Sequence, residues 1–299
     1  MVEVYRPDTL EQALDKLAVG DHTLFSGGTD LMVQHSVRPG MTPSFTHDVI
    51  FVDAIDELKH ITQASLESQA EGDADSALFI GAGVTLNEIE KHPLVPDVLR
   101  QSVAKIAAPA LRNRATMAGN ICNASPAADS LPALYLLDAR VVLSSLQGQR
   151  EMALEDFILA PGLSQLRQGE MLTHVVIPQA DLPVTFYHKV GTRAANALTK
   201  LSVAGLAKVH KGRTGKGKLV DWRVAFGAVG PTVVRSRELE SLVIGQPTEK
   251  LAKPRFIDEV VAMYSEIIRP IDDQRSTAEY RHQASLNLLR RWLSQLSVQ

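Results

Sequence analysis

With 299 residues, 45% of them hydrophobic, the chain is long enough to bury a sizeable core and is expected to hold two domains, because single cores seldom grow beyond roughly 250 residues. A net charge of −3, with acidic and basic residues interspersed, leaves no footprint for nucleic acid or an anionic membrane surface. A single cysteine excludes an internal disulfide and an iron–sulfur cluster held by four thiolates of this chain, and the nine histidines show no metal-ligand spacing.

Met1 to Pro7 contains neither a basic segment followed by an apolar run nor a long uncharged stretch, which points to a cytoplasmic protein without a membrane span. Asp8 to Glu11 reads as a capping-box variant, and Leu10, Ala13, Leu14 and Leu17 follow at helical spacing up to Gly20, which predicts a short helix. Thr23 to Phe25 is a brief apolar strand running into Ser26-Gly27-Gly28-Thr29-Asp30-Leu31, and Leu31 to Gln34 opens another helix. Val49 to Asp53 and Ala77 to Ile80 read as strands on either side of a polar turn over 67–76, and Thr85 to Glu88 starts a further capped helix. Val95 to Ile106 is helical in pattern and is expected to stop near Pro109. A second small-residue loop, Thr116 to Asp129, precedes a helix over Leu131 to Leu137 and a strand over Arg140 to Leu143. Pro178 and Pro183 bracket Ala180-Asp181, so the boundary is placed near 178–184. Beyond it, Leu201 to His210 and Leu219 to Val229 predict an antiparallel hairpin. Two amphipathic helices follow over 255–268 and 276–296, the second with Leu286, Leu289, Leu293 and Leu296 on one face.

Four motifs bear on chemistry. Gly81-Ala82-Gly83 follows a strand but has Leu86 where a dinucleotide fingerprint needs its third glycine. Gly212-Arg213-Thr214-Gly215-Lys216-Gly217-Lys218 lacks the Ser or Thr of a phosphate-binding P-loop, because Leu219 takes that place, and it reads as a solvated hairpin turn. The loops around Gly27-Gly28 and Gly119 are stronger, since both combine small residues with the hydroxyls of Ser26, Thr29, Thr116 and Ser125. Such loops can turn backbone N–H groups toward a phosphate and let it approach the main chain. Cys122 has no base beside it in sequence and reads as a small packed residue rather than a nucleophile.

Ser26 to Leu31, Arg112 to Asn120 and Ala124 to Asp129 together resemble the FAD-binding medium subunits of the molybdenum hydroxylases, the flavoprotein subunits of xanthine and carbon monoxide dehydrogenases. Ile80 to Thr85, Tyr187 to Gly191, Ala225 to Thr232 and Asp273 to Arg281 extend the resemblance over nearly the whole chain. It implies an α+β protein: a two-subdomain FAD-binding domain of the PCMH (vanillyl-alcohol oxidase-like) type over 1–178, with subdomains of about 1–54 and 55–178. A smaller α+β domain with an antiparallel sheet and helices would occupy 184–299. The site residues carried over are Ser26, Gly27, Gly28, Thr29, Asp30, Leu31, Thr116, Gly119 and Asn120, with Ser125, Asp129, Leu172 and Lys189 lining the remainder. Carboxylates do not suit a diphosphate, so Asp30 and Asp129 are expected to accept from sugar hydroxyls or to order the loops.

The function implied is electron transfer within an oxidoreductase. FAD would pass electrons from [2Fe–2S] clusters of a small subunit, themselves fed by a molybdenum cofactor on a large subunit, to NAD, a quinone, oxygen or another acceptor. A heterotrimer or its dimer follows, with no catalytic acid or base in this chain; Tyr187 is a candidate gate over the flavin ring. The alternatives are a free-standing FAD-dependent oxidase or reductase and a flavin-free scaffold subunit. Only one feature favours the scaffold: Ala118 stands where the family commonly has glycine, and at a positive φ it would cost about 1 kcal/mol.

Overall fold

The amino-terminal strand Val4–Tyr5 pairs in parallel with Asp48–Phe51, which pairs in parallel with His22–Phe25 on its other side. Parallel neighbours need a crossover, and the helix Leu10–Ala18 supplies the first one, burying Ala13, Leu14 and Leu17. Its cap lies one residue later than the sequence suggested. Thr9 Oγ1 accepts from the Gln12 amide at 3.3 Å, and the Gln12 side chain reaches back to accept from the Asp8 amide at 3.1 Å. The computed structural model describes residues 2–36, 38, 40–65, 76–211 and 217–297. The predicted turn over 67–76, apart from Ser76, and the Gly212 to Lys216 part of the rejected P-loop lie outside them.

Packing divides the chain into two units, one of Met1–Val95, Ala107–Ala124 and Asp138–Gln179, the other of Pro96–Ile106, Ser125–Leu137 and Ala180–Gln299. The first holds the parallel sheet and a five-stranded antiparallel sheet in the order Ile61–Ser65, Ser76–Gly81, Met171–Pro178, Arg140–Ser145, Gly148–Ala153. The middle strand, Met171–Pro178, is not foreseen from the sequence. Its residues are apolar almost without interruption and buried on both faces, so no period-2 alternation marks it. The helix Leu86–Lys91 has the predicted capping box: Thr85 Oγ1 accepts from the Glu88 amide, and Glu88 Oε2 accepts from the Thr85 amide at 2.8 Å.

In the second unit Val184–Gly191, Thr199–Lys211 and Gly217–Gly227 form an antiparallel meander, with Tyr187 opposite Ala204 and Ala204 opposite Ala225. The hairpin predicted from residues 201–229 is its last two strands. Helices Pro254–Ser265 and Ala278–Leu296 build its core, in which Trp222, Tyr264, Phe226 and Trp292 are almost wholly buried and Phe186 stacks on Trp292 at 5.4 Å. Leu286, Leu289, Leu293 and Leu296 are all buried, as their spacing predicts. Two short helices from earlier in the chain, Asp97–Val103 and Ser130–Leu136, pack on the same sheet. The first is shorter than the predicted Val95 to Ile106. Pro109 does not stop it: Ala107 breaks the path with a φ of 47°, and Pro109 opens a new turn, Pro109–Arg112, at the first helical position, where its fixed φ fits and its missing N–H is not needed. The mixture of sheets and helices is the expected α+β class.

Among the described residues, no helix is long and apolar enough to cross a membrane, and no group of three or more His, Cys, Asp or Glu is placed to hold a metal ion.

Candidate functional site

The two glycine-bearing segments converge in the first unit. Gly27 lies so close to the Arg114 carbonyl that a Cβ there would stand 2.1 Å from its oxygen. Gly28, at φ +70°, turns the chain over the Phe25 ring in a conformation that side chains resist. Ser26 Oγ is then 3.1 Å from Thr116 Oγ1, a hydrogen bond between residues 90 apart in sequence. The Leu86 amide donates to the Ala115 carbonyl at 2.8 Å, and Thr85 pairs with Thr116 in an isolated antiparallel bridge. Gly81-Ala82-Gly83 has a packing role here: a Cβ on Gly81 would meet the Leu58 carbonyl oxygen at 2.3 Å, and the Gly83 amide donates to that oxygen at 2.8 Å.

The second segment is a helix start rather than a loop. Thr116 caps Met117–Cys122, its Oγ1 accepting from the Gly119 amide at 3.2 Å. The sequence offers only six residues between cap and end, with a glycine at the centre, too few for a periodicity to register. Ala118 sits within this helix, buried at 7% exposure, and is not among the residues of positive φ. Alanine is the best helix former, so the strain expected from the missing glycine does not arise, and the case for a flavin-free scaffold loses its one support.

Gly119 differs from Gly27. It is exposed, and beyond its own helix backbone a Cβ would meet only Thr116 Oγ1, at 3.1 Å. Packing within the chain does not demand glycine at 119; an approaching ligand would.

A cavity of about 230 Å³ adjoins these segments. The hydroxyl residues Ser26, Thr85 and Thr116 line it, together with the charged Asp53, Lys59, Glu88 and Arg114. Arg6 grips Asp53 through Nε at 3.1 Å and Nη2 at 2.9 Å and holds its carboxyl below the usual carboxylate range. The sequence alone suggests no role for Lys59, Thr85 or Arg114 in binding. Arg114 stands inside the Arg112 to Asn120 segment, so its signal is a cation two residues before the helix cap. Lys59, from the far side of a turn, gives none.

Of the remaining predicted residues, Asp30 is exposed and its carboxylate accepts from Gln34 Nε2 at 2.5 Å, while Gln34 also donates to Asn123 Oδ1 at 2.8 Å. Thr29 and Leu31 are half-buried, and Asn120 lies in the Met117–Cys122 helix. Leu172 is buried in the middle strand at a register shift, opposite Leu143. Cys122 has its thiol pushed up to about 12 by burial, which leaves it no thiolate character at neutral pH.

Ser125, Asp129 and Lys189 belong to the second unit, and there Asp129 and Lys189 meet. Asp129 is 5% exposed. Its carboxylate accepts from Lys189 Nζ at 2.7 Å, from Thr199 Oγ1 at 2.8 Å and from the Tyr187 hydroxyl at 3.2 Å. Burial pushes this carboxyl upward, while Lys189 and the two hydroxyls pull it back. Lys189 also donates to the Lys105 carbonyl at 2.9 Å, so its ammonium is held rather than free in solvent. The phenol of Tyr187, committed to Asp129 and pushed up in pKa by burial, is anchored and not poised to swing as a gate. Ser125 Oγ accepts from the Ala127 amide at 3.3 Å, ordering the turn before the Ser130–Leu136 helix.

Comparison with known proteins gives matches along the whole chain. Residues 1–180 match the FAD binding domain in molybdopterin dehydrogenase, and residues 186–296 match the CO dehydrogenase flavoprotein C-terminal domain. The chain is 28% identical to the glyceraldehyde dehydrogenase medium chain of Sulfolobus acidocaldarius, over 93% of this chain and 92% of that one. It is 27% identical to the carbon monoxide dehydrogenase medium chain of Hydrogenophaga pseudoflava, over 98% and 96%. Among solved structures, the Cu,Mo-CO dehydrogenase in its cyanide-inactivated form superposes with a TM-score of 0.82 at 25% identity, covering 97% of this chain and 95% of that one. Quinoline 2-oxidoreductase from Pseudomonas putida 86 shares the fold with a TM-score of 0.82 at 21% identity, over 99% and 97%.

Proposed function

From the premise that this chain belongs to the family of FAD-binding flavoproteins of the molybdopterin dehydrogenases, we propose that it serves as the electron-transfer subunit of a multi-subunit oxidoreductase. The observation that carries the reading is the convergence of the two glycine segments, with Gly27 against the Arg114 carbonyl and Ser26 Oγ at 3.1 Å from Thr116 Oγ1. The hydroxyls of Ser26 and Thr116 then meet at the wall of one cavity. The donor set suits a diphosphate, and the exposed Gly119, which carries no Cβ, suits its close approach.

In this reading Ser26 to Leu31 and Thr116 to Asn120 hold the diphosphate and ribityl portions of FAD. Leu172, Asp129 and Lys189 line the remainder, and Ser125 orders the turn that carries Asp129. Bound FAD supplies the exchange between one-electron carriers and a two-electron acceptor. What the chain itself contributes is binding, orientation and a fixed charge: Asp129, held by Thr199 and Tyr187, keeps the Lys189 ammonium at a constant position. Partner subunits bear the molybdenum cofactor and the [2Fe–2S] clusters in a cytoplasmic heterotrimer or its dimer. The proposed domains are 1–178 and 184–299.

A visible spectrum of the purified protein after incubation with FAD is the direct test. Flavin bands retained through gel filtration are expected, together with co-purification of molybdenum and iron–sulfur subunits from the native host. No flavin bands would defeat the cofactor assignment, and a flavin-loaded chain that purifies alone would defeat the subunit assignment.

A further inference from the structure

We propose that the cavity beside Ser26 and Thr116 is a phosphate site in which Arg114, assisted by Lys59, carries the neutralising charge. The identity of its occupant, the diphosphate of FAD, rests on the function proposed above; the phosphate chemistry rests on the cavity itself.

The two acids in the wall are already engaged. Both oxygens of Asp53 accept from Arg6, and Glu88 Oε2 accepts from the Thr85 amide at 2.8 Å and from Thr85 Oγ1 at 2.6 Å. The cations are not so engaged. Lys59 Nζ donates one hydrogen bond, to the Ala54 carbonyl at 3.3 Å, and keeps two donors. Arg114 is exposed; its guanidinium makes no side-chain hydrogen bond among the described residues, and its charge helps Arg6 hold the Asp53 carboxyl low. With Arg6 counted beside Asp53, the cavity's surroundings hold three cations and two acids, so the local charge is positive in a chain whose net charge is negative.

Arg114 is also launched from a fixed backbone. Its amide donates to the Leu111 carbonyl at 3.0 Å, and its own carbonyl lies under Gly27. A planar guanidinium with five donors matches two phosphate oxygens at once, which a surface arginine in open solvent has no occasion to do. The hydroxyls of Ser26 and Thr116 complete a donor set for the same anion.

The test is calorimetric titration of the full-length flavin-free protein with FAD, with riboflavin, which has no phosphate, and with inorganic pyrophosphate. The parent is compared with Arg114→Gln, Arg114→Lys and Lys59→Gln. Losing a charge-assisted phosphate contact is expected to weaken FAD by about tenfold to a hundredfold in Arg114→Gln and less in Lys59→Gln, with riboflavin unchanged. Arg114→Lys should recover part of the loss, and the salt dependence of FAD binding should flatten in Arg114→Gln. If FAD affinity is unchanged but pyrophosphate binding to the FAD-saturated protein disappears in Arg114→Gln, the site stands and its phosphate comes from a second ligand. Unchanged binding of both FAD and pyrophosphate in Arg114→Gln overturns the proposal while leaving the flavin function intact. A parent that binds pyrophosphate through Arg114 but never FAD does the reverse.

Discussion

Three glycines in the two loops look alike in sequence and differ in what surrounds them. At Gly27 an added methyl would run into a main-chain carbonyl at 2.1 Å, which no side-chain adjustment relieves. At Gly28 the same methyl would meet the Phe25 ring, with the backbone at φ +70°. At Gly119 it would meet one hydroxyl, that of Thr116 at 3.1 Å, a tight contact that a small shift of that side chain relieves. Gly27→Ala is therefore expected to cost at least about 2 kcal/mol of stability, seen as a lowered denaturant midpoint with or without FAD. Gly119→Ala lies in a helix, where alanine is favoured by about 1 kcal/mol, so its midpoint should match or nearly match the parent's. Its FAD affinity should nevertheless fall at least tenfold, because the methyl occupies the path to the backbone. A Gly119→Ala protein with parental FAD affinity would show that this helix start does not touch the cofactor. Sequence alone names all three residues, since glycine and hydroxyl clusters are visible in a string of letters. It does not reveal the split between packing and binding glycines, which depends on atoms far away along the chain.

At the scale of elements, the turn entering the last helix carries a defined acid limb. Arg281, 4% exposed in its side chain, reaches Asp273 Oδ1 at 2.6 Å and the Ile271 carbonyl at 3.1 Å. The amides of Arg275 and Ser276 donate to the same carboxylate. The Arg281 hydrogen bond, ahead of the backbone donors, lowers the Asp273 carboxyl from its ordinary 3.8 to about 2. A depressed carboxylate stabilises the folded chain fully above its unfolded value, and that contribution fades as pH falls toward the folded value. Asp273→Asn should thus melt below the parent at pH 7, and the gap should begin to narrow near pH 4 and continue closing toward pH 2. A gap constant from pH 7 to pH 3 would remove the ion pair as its source.

The same scale shows which elements can be read directly. The Leu86–Lys91 helix is legible from Thr85 and Glu88, and the last helix from its leucines. The strand Met171–Pro178 is not, because burial on both faces erases the alternation that identifies a strand. The Met117–Cys122 helix is hidden by its brevity, and the Pro109 turn by the double meaning of proline as stop and start.

For the whole molecule, the order of the chain and the order of packing disagree. Helices Asp97–Val103 and Ser130–Leu136 come early in sequence, yet they belong with the strands after residue 184. Val98, Leu99, Val103, Leu131, Leu134 and Leu136 are buried in that setting, each worth about 1.5–3 kcal/mol of transfer free energy. A chain truncated after Gln179 should therefore expose them, bind a hydrophobic dye and aggregate, although residues 1–180 match a family model on their own. A soluble, cooperatively melting truncated chain would contradict this. No local pattern announces such interleaving; it emerges only when the folded chain is packed.

Heredity meets the same constraint. A gene rearrangement that joined residues 1–180 of this lineage to another's carboxyl-terminal half would carry two helices shaped for a sheet left behind. The Leu136 carbonyl, which accepts from Arg223 at 2.7 Å, would face a foreign strand with no assurance of a matching donor. Recombination near residue 180 should be penalised unless the matching sheet travels too, so the two halves are bound to change in step.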